Sequence, residues 1–252
     1  MSSNGELPVK TGKGKRLLIE GDSIALGVSE VHGLNVASRV SCSFVDIISL
    51  RFPDLEIHID ADVHRSTIGA LRCIDELLAK YRPDATLLMV GGSDADPDWK
   101  RFVVSNGRVA RSRVDLSRYT ENLRSLIDKI RRANSIPILT DMPNQNVTRR
   151  GLLMSELSGK DVSALIRAHG GQKICDEGLE LYRQTVAALA AEFDVPFAPY
   201  GHRLGIHDSD KVIGPDGIHP TEFAHSIIAE EVTGVLSRIF QTQVSRLSGS
   251  ST

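Results

Sequence analysis

The stretch that decides the fold is RLLIEGDSI at residues 16–24, where a short apolar run passes directly into Gly21-Asp22-Ser23. A short run rich in Leu and Ile, bounded by a turn signal, is typical of a strand buried on both faces of a parallel sheet. We therefore predict a strand at Arg16–Glu20, with Ser23 held just past its carboxyl end. The glycine two residues before the serine permits a tight turn there.

Similar apolar runs recur along the chain and alternate with segments of helical periodicity. The predicted further strands are Leu55–Asp60, Ala85–Val90, Ile136–Thr140 and Val195–Pro199. Apolar residues three or four apart predict helices over Ile68–Leu78, Tyr119–Ile130, Leu179–Phe193 and Phe223–Ile239, with a less regular one near Val36–Leu50. Five alternations of strand and helix predict an α/β fold with three layers, α/β/α.

The chain is predicted to form one domain over residues 16–240, between a disordered arm (1–15) and a C-terminal tail (241–252). Two insertions interrupt the alternation, near residues 98–114 and 142–176. In the first, Asn106-Gly107 between β-prone flanks predicts a hairpin with a type I′ turn. In the second, a short helix is predicted near Asp161–Ala168. Both insertions follow strands, so both are expected at the carboxyl edge of the sheet, where open α/β sheets bind ligands.

Composition excludes some classes of function. Of 252 residues, 41% are hydrophobic and 25% charged, as in ordinary globular proteins. The net charge of -2 indicates neither nucleic acid nor a membrane surface as partner. No apolar run reaches the roughly 18 residues of a membrane helix, and the N-terminus lacks a signal-peptide pattern. We predict a cytoplasmic protein, although a leader removed before residue 1 would leave the same sequence.

Two motifs at opposite ends of the chain carry the candidate chemistry. Ser23 has a hydroxyl that is a weak nucleophile unless a base lies close by. Asp216-Gly-Ile-His219 precedes the last predicted helix and supplies both a base and a carboxylate that can orient it. Taken singly, Gly-Asp-Ser is more often an ordinary turn, and Asp-x-x-His a capped helix start.

Together and in this order, the two motifs resemble the SGNH/GDSL hydrolase family over nearly the whole of residues 16–240. The resemblance implies a flavodoxin-like sheet of five parallel strands. It implies that Ser23 is the nucleophile and gives a backbone N–H to the oxyanion hole, that His219 is general base and then acid, and that Asp216 orients His219.

The chain departs from two further motifs of that family. Where the family has Gly-x-Asn-Asp after the third strand, this chain has Gly91-Gly92-Ser93-Asp94. Ser93 then stands where an asparagine amide would bind the oxyanion, and Asp94 is expected to accept backbone N–H groups. The family also has a glycine after the second strand. When the helix that follows is matched to the family without gaps, His64 occupies the place of that glycine, and we prefer it to Gly69. A surface-loop histidine is the alternative interpretation of His64.

Other residues leave alternatives open. His202, His207, Asp208 and Asp210 match no common metal site, and we predict no metal. The basic residues of the insertions form a solvated surface or, if they line the mouth of the site, favour an anionic ester; they are Lys100, Arg101, Arg108, Arg111, Arg113, Arg149 and Arg150. Trp99 stacks on substrate or anchors the predicted hairpin. The scattered Cys42, Cys73 and Cys175 are interpreted as buried thiols.

The predicted function is hydrolysis of carboxylic esters through an acyl-enzyme, without a cofactor. The expected partner is a small-molecule or carbohydrate ester with a short acyl group, such as acetyl. The alternatives are an acyltransferase that uses the same three residues and a binding protein on a degenerate esterase scaffold. The sequence leaves the alcohol part of the substrate and the oligomeric state open.

Overall fold

The computed structural model describes residues 14–31 and 37–248. The strands are β1 (Arg16–Gly21), β2 (Val28–Val31), β3 (Ala37–Arg39), β4 (Glu56–Ala61), β5 (Ala85–Met89), β6 (Ile136–Thr140) and β7 (Phe197–Ala198). The helices are α1 (Phe44–Arg51), α2 (Thr67–Tyr81), α3 (Gly92–Ala95), α4 (Trp99–Val104), α5 (Leu116–Arg132), α6 (Val147–Ser158), α7 (Val162–Ala168), α8 (Lys173–Glu192), α9 (Tyr200–Leu204), α10 (Ser209–Val212) and α11 (Glu222–Ser248). Apart from residues 14 and 15, the predicted N-terminal arm lies outside the described residues.

Five strands form one parallel sheet in the order β4-β1-β5-β6-β7, which confirms the predicted flavodoxin-like arrangement. The three-layer α/β/α architecture is confirmed as well. Strand β7 is shorter than the predicted Val195–Pro199, because only two of its residues pair with β6.

Strand β1 lies between β4 and β5, and its side chains alternate between two cores. Leu17 and Ile19 pack into the core beneath α1 and α11, whereas Leu18 packs into the opposite core beneath α2, α5 and α8. All three are fully buried. The continuous apolar run therefore follows from a strand covered on both faces.

The segment predicted as a helix near Val36–Leu50 is only partly helical. Strands β2 and β3 pair antiparallel as a small separate sheet, and helix α1 begins later, at Phe44. Ser43 caps α1: its hydroxyl accepts the backbone N–H of Asp46, and the Asp46 carboxylate accepts the N–H of Ser43. This capping box fixes the start of the helix and explains why the apolar pattern is irregular before it.

The hairpin predicted at Asn106-Gly107 is wrong, because this segment ends helix α4. Both residues have positive φ, 52° and 79°, as a type I′ turn would require. Their N–H groups instead bond to the carbonyl groups of Val103 and Phe102 at the end of the helix. Trp99, Phe102 and Val103 are spaced for one helical face, and packing of that face outweighs the local hairpin signal.

The two insertions pack against each other. Residues of α4, α6, α7 and α8 share a third apolar cluster, formed by Trp99, Phe102, Val103, Val147, Val162, Ile166 and Cys175. The helix predicted near Asp161–Ala168 is confirmed as α7, with Asp161 as its N-cap. The insertions thus form one layer beside the chain segments that follow β5 and β6.

The end of the chain differs from the sequence expectation. Helix α11 continues to Ser248, whereas a tail was predicted over residues 241–252, of which 249–252 lie outside the described residues. Within the described residues, no helix is both long enough and apolar enough to cross a membrane.

Candidate active site

Ser23 lies in a tight turn that begins where β1 ends. The N–H of Asp22 bonds to the carbonyl of Met89 on β5, and the carbonyl of Ser23 accepts the N–H of Val28. A Cβ atom on Gly21 would lie 2.6 Å from the Cβ of Ala25, so the turn closes only with glycine at this position. The turn therefore holds the buried Ser23 at the sheet edge, as predicted.

His219 and Asp216 share a loop that precedes α11. The Oδ1 atom of Asp216 accepts the N–H groups of Ile218 and His219, at 3.0 and 3.1 Å. Gly217, between them, has φ +83°, and a Cβ there would lie 2.4 Å from the carbonyl oxygen of Asn146. The loop is thus fixed internally and by close packing against the start of α6.

The three side chains form a continuous chain of hydrogen bonds. The Nε2 atom of His219 lies 2.8 Å from Oγ of Ser23, and its Nδ1 atom lies 2.5 Å from Oδ2 of Asp216. The same Oδ2 accepts the N–H of Val31 at 3.0 Å. All three side chains are buried, so the interactions are shielded from water.

The two carboxyl groups near Ser23 have opposite pKa shifts. Burial alone would raise the pKa of Asp216, but the hydrogen bond and charge of His219 outweigh it, so this pKa lies below its usual value. Burial raises the pKa of Asp22 to about 6, although its Oδ1 accepts the N–H of Ile24. Asp216 is therefore the carboxylate that stays ionised beside the imidazole.

A cavity of about 50 Å³ opens at Ser23 and His219. The sequence-predicted Ser93 and His64 both line it, and so do Asp96, Gln145 and Leu179, which the sequence did not single out. The structure thus brings together all five residues predicted for the site.

His64 has φ +66°, in the left-handed region that favours glycine. It belongs to a turn after β4, in which the N–H of Asp62 bonds to the carbonyl of Gly21 and the N–H of Arg65 to that of Asp62. A backbone N–H donor does not itself require glycine, but a turn with positive φ favours one. The chain therefore adopts the glycine-like backbone with a histidine.

Asp94 ties the loops of Ser93 and His64 together. Its two carboxylate oxygens accept the backbone N–H of Thr67, and Oδ1 also accepts the Thr67 hydroxyl at 2.5 Å. Asn122 donates to the same hydroxyl at 2.9 Å. The expectation that Asp94 accepts backbone N–H groups is confirmed, and its partner lies at the start of α2.

Three of the four residues that were weighed as a metal site have other roles in the structure. Asp208 caps α10, Asp210 pairs with Arg149 at 2.9 Å, and the ring of His207 packs against Phe223. Among the described residues, the potential ligands that do lie close together are Glu20, Asp60 and Cys73.

Arg65 occupies the centre of that group. Its Nη1 atom lies 3.1 Å from Glu20, 2.6 Å from Asp60 and 3.0 Å from the sulfur of Cys73. The guanidinium therefore stands where a cation would bind. All three cysteines are free thiols; Cys175 is buried, while Cys42 and Cys73 are half-buried rather than buried as predicted.

A groove of about 770 Å³ adjoins the cavity, and both are lined by His64 and Ile218. Of the basic residues considered in the sequence, Lys100, Arg113 and Arg150 line it. Trp99 also reaches its wall but is buried at the start of α4, where its Nε1 donates to Asp96 at 3.0 Å. Trp99 therefore anchors the insertion, although not through the predicted hairpin.

Three contributions to the site carry no local sequence signal. They are the Val31 N–H on Asp216, the burial of Arg150 and the position of Gln145 in the cavity wall. Each depends on how an insertion or the β2–β3 sheet docks onto the sheet edge. Asp96 is different: it lies three residues after Ser93 in the sequence, and this closeness could have indicated that it lines the cavity.

The sequence profile of the GDSL-like Lipase/Acylhydrolase family matches residues 20–227. No curated protein matches the chain by sequence.

Several solved structures share the fold. A psychrotrophic esterase, EstA from Pseudoalteromonas sp., described as inhibited by monoethylphosphonate, has a TM-score of 0.60 at 15% identity, covering 90% of this chain and 99% of that one. A lipase/acylhydrolase from Enterococcus faecalis has a TM-score of 0.60 at 16% identity, covering 88% and 95%. A mutant of Axe2, an acetyl-xylooligosaccharide esterase from Geobacillus Stearmophilus, has a TM-score of 0.56 at 19% identity, covering 88% and 94%. At such identities these likenesses establish the fold, whereas the profile match over most of the sequence establishes that the chain belongs to the GDSL-like lipase/acylhydrolase family and is a carboxylic ester hydrolase.

Proposed function

We propose that the chain hydrolyses short-chain acyl esters through a covalent acyl-enzyme on Ser23. The observation that carries the proposal is the pair of contacts made by His219, 2.8 Å to Oγ of Ser23 and 2.5 Å to Oδ2 of Asp216. A serine becomes a competent nucleophile when a base lies within hydrogen-bond reach and a third group orients that base.

In the first half-reaction, Oγ of Ser23 attacks the ester carbonyl carbon while its proton passes to Nε2 of His219. The carbonyl π electrons move to oxygen, which gives a tetrahedral oxyanion. When that intermediate collapses, the bond to the alcohol oxygen breaks, and His219 returns the proton to the leaving alcohol. Asp216 stays ionised throughout and stabilises the imidazolium.

In the second half-reaction, water replaces the alcohol. His219 takes a proton from water as the water oxygen attacks the acyl carbon. The bond to Oγ then breaks, and Ser23 recovers its proton from His219. The products are one carboxylic acid and one alcohol, and no cofactor takes part.

The oxyanion is proposed to bind the N–H of Ser23, the N–H of His64 and the hydroxyl of Ser93. Both His64 and Ser93 line the cavity at Ser23. Asp94 supports this arrangement because it bonds the loop of Ser93 to the start of α2, three residues after His64. Preorganised donors of this kind contribute more than any other single feature to many acyl transfers.

The sizes of the two spaces support a short acyl group, such as acetyl, and a larger alcohol. The cavity at Ser23 measures about 50 Å³, room for roughly four water molecules. The adjoining groove measures about 770 Å³. We therefore place the acyl group in the cavity and the alcohol, a carbohydrate or another small molecule, in the groove.

Hydrolysis of aryl esters of increasing acyl length tests the proposal. Acetate should be the best substrate, with kcat/KM falling beyond butyrate. Ser23→Ala should abolish turnover and labelling by an alkyl phosphonate, while Ser125→Ala, on the exposed face of α5, should change neither. Equal rates for Ser23→Ala and wild type would overturn the mechanism. A preference for octanoate would instead place the acyl chain in the groove.

A further inference from the structure

Arg150 is a buried cation whose donors are not all used. Its side chain is 6% exposed, its Nη2 atom lies 3.6 Å from Oδ2 of Asp96, and its Nε atom has no hydrogen-bond partner within the described structure. Burying a guanidinium N–H without an acceptor is unfavourable. Because Arg150 lines the groove, an acceptor bound in the groove can reach this side chain.

Asp96, the carboxylate nearest to Arg150, is already shared among several donors. Its Oδ2 accepts Nη2 of Arg113 at 2.9 Å. Its Oδ1 accepts Nε1 of Trp99 at 3.0 Å and Nε2 of Gln145 at 3.3 Å. One carboxylate between two guanidinium groups leaves a positive charge uncompensated.

The described groove wall has the same excess of positive charge. Three cations line it, Lys100, Arg113 and Arg150, and the one carboxylate among its described lining residues is that of Asp98. This carboxylate already accepts the N–H of Arg101. This positive charge also acts on His64, which lines both the groove and the cavity at Ser23. Partial burial, together with the charges of Arg113 and Arg150, lowers the pKa of His64. The imidazole at the entrance therefore responds to these two cations.

Much of the remaining groove wall, among the described residues, is apolar. Helix α6 contributes Leu153, Met154 and Leu157 to it, all apolar. An anionic group in the groove would therefore turn towards the two arginines. A planar guanidinium binds carboxylate and phosphate through paired N–H groups, which gives orientation as well as attraction.

We propose that Arg113 and Arg150 form an anion subsite, and that the natural substrate is a short-chain ester of an alcohol bearing a carboxylate or phosphate. Lys100 adds charge at the exposed rim. The proposal rests on the ester hydrolysis assigned to Ser23 and deepens it by naming the class of alcohol. The anion would hold the leaving alcohol in the groove while the acyl group occupies the cavity.

The test uses the full-length protein and three substrates with the acetyl group at the same position: a methyl glucoside, the matching methyl glycoside of glucuronate with its carboxylate free, and the matching sugar phosphate. We expect wild-type kcat/KM to be at least tenfold higher for one or both charged esters than for the neutral one. Arg113→Gln and Arg150→Gln should remove this preference, with tenfold or greater losses on the charged ester and less than threefold on the neutral one.

The matched control is Arg101→Gln, an exposed basic residue of the same helix as Lys100 that is not among the described groove residues. It should leave all three rates unchanged. If Arg150→Gln does not fold, Arg113→Gln carries the test, because its side chain is 31% exposed. Equal losses on neutral and charged esters would show that the arginines only support the fold, and would overturn the subsite.

The outcomes separate this inference from the proposed function. Ser23-dependent hydrolysis of the neutral ester with no preference for a charged one overturns the subsite alone. Hydrolysis that does not require Ser23 overturns the mechanism itself. Preference for the glucuronate or for the sugar phosphate tells which anion the subsite takes, and either result supports it.

Discussion

The Nε2 atom of His219 lies 2.8 Å from Oγ of Ser23, although 196 positions separate the two residues in the chain. Each side chain is presented by a turn at the sheet edge that is closed by its own backbone hydrogen bonds. Glycines fix both turns by close approach, Gly21 against Ala25 and Gly217 against Asn146. Since backbone contacts and the Oδ1 atom of Asp216 hold these turns, variants that keep those contacts can separate chemical roles from folding.

Asp216→Asn should lower kcat by about 10⁴-fold, as expected when the base is held in the wrong tautomer. Oδ1 of Asp216 accepts two backbone N–H groups, so the amide oxygen of the variant should stay there. The amide nitrogen would then replace Oδ2 and donate to Nδ1 of His219, and the N–H of Val31 would lose its acceptor. The imidazole proton would move to Nε2, which could no longer accept the proton of Ser23.

Steady-state kinetics on an aryl acetate check this prediction, with circular dichroism as a test of folding. The control is Asp210→Asn, an exposed carboxylate of the same region that pairs with Arg149. A loss of less than tenfold for Asp216→Asn would mean that Asp216 does not set the tautomer.

Substitutions at Ser93 should show how far its hydroxyl replaces an amide. Ser93→Ala should lower kcat by roughly 10- to 100-fold, less than the 100- to 1,000-fold expected for loss of a fully aligned donor. Ser93→Asn should match or exceed the wild-type kcat, because its longer side chain can reach further into the cavity that Ser93 lines. KM should change little in both variants. An unchanged kcat for Ser93→Ala would remove Ser93 from the oxyanion hole.

The part of the fold that could be predicted is the part with local signals. Short sequence patterns are enough to predict the apolar strand β1, the turn at Gly21 and the helices α2, α5 and α8. The pairing of Ser23 with His219 was implied by the family resemblance, and both residues lie at the same edge of the sheet.

The rest depends on tertiary packing. Asn106 and Gly107 adopt the left-handed conformation that their sequence favours, yet they end a helix because Trp99 and Phe102 pack into the insertion core. The bond from Val31 to Asp216 requires the β2–β3 sheet, whose exposed residues leave little apolar pattern. Arg150 is buried because the loop of Gly217 packs against α6, and no local sequence pattern predicts that contact.

Two variants of His64 should separate backbone from side chain. In the left-handed region a residue with a Cβ is strained by roughly 1–2 kcal/mol. His64→Gly relieves the strain, but glycine also increases the conformational entropy of the unfolded chain. Because these effects oppose each other, the free energy of unfolding should change by less than about 1 kcal/mol. His64→Ala keeps the strain that φ +66° imposes and should be less stable than His64→Gly.

Activity gives the second readout for these variants. If the N–H of residue 64 binds the oxyanion, both variants keep the donor, and kcat should stay within a few-fold of wild type. A loss above 100-fold in both, at unchanged stability, would assign the role to the imidazole instead. Urea unfolding and aryl acetate kinetics provide the two measurements.

Glu20→Gln should weaken the dependence of stability on pH. Burial raises the pKa of Glu20 to about 7, although the charge and hydrogen bond of Arg65 act in the opposite direction. Between about pH 4.5 and pH 7 the folded protein therefore holds a proton that the unfolded chain has lost. Stability falls as pH rises wherever the folded state binds more protons than the unfolded chain. The contribution of Glu20 to the free energy of unfolding is therefore fully present below pH 4.5 and is lost as the pH rises through 7.

The loss between those limits is at most about 3 kcal/mol for Glu20. Asp22 and Asp141, whose pKa values burial raises to about 6, act in the same direction and remain in the variant. His225, whose pKa burial lowers to about 4, acts in the opposite direction in both proteins.

The urea midpoint should therefore fall less from pH 5 to pH 8 in Glu20→Gln than in wild type. Glu121→Gln, an exposed carboxylate on α5, is the control and should retain the full fall. An unchanged slope in Glu20→Gln would show that Arg65 keeps Glu20 ionised across this range.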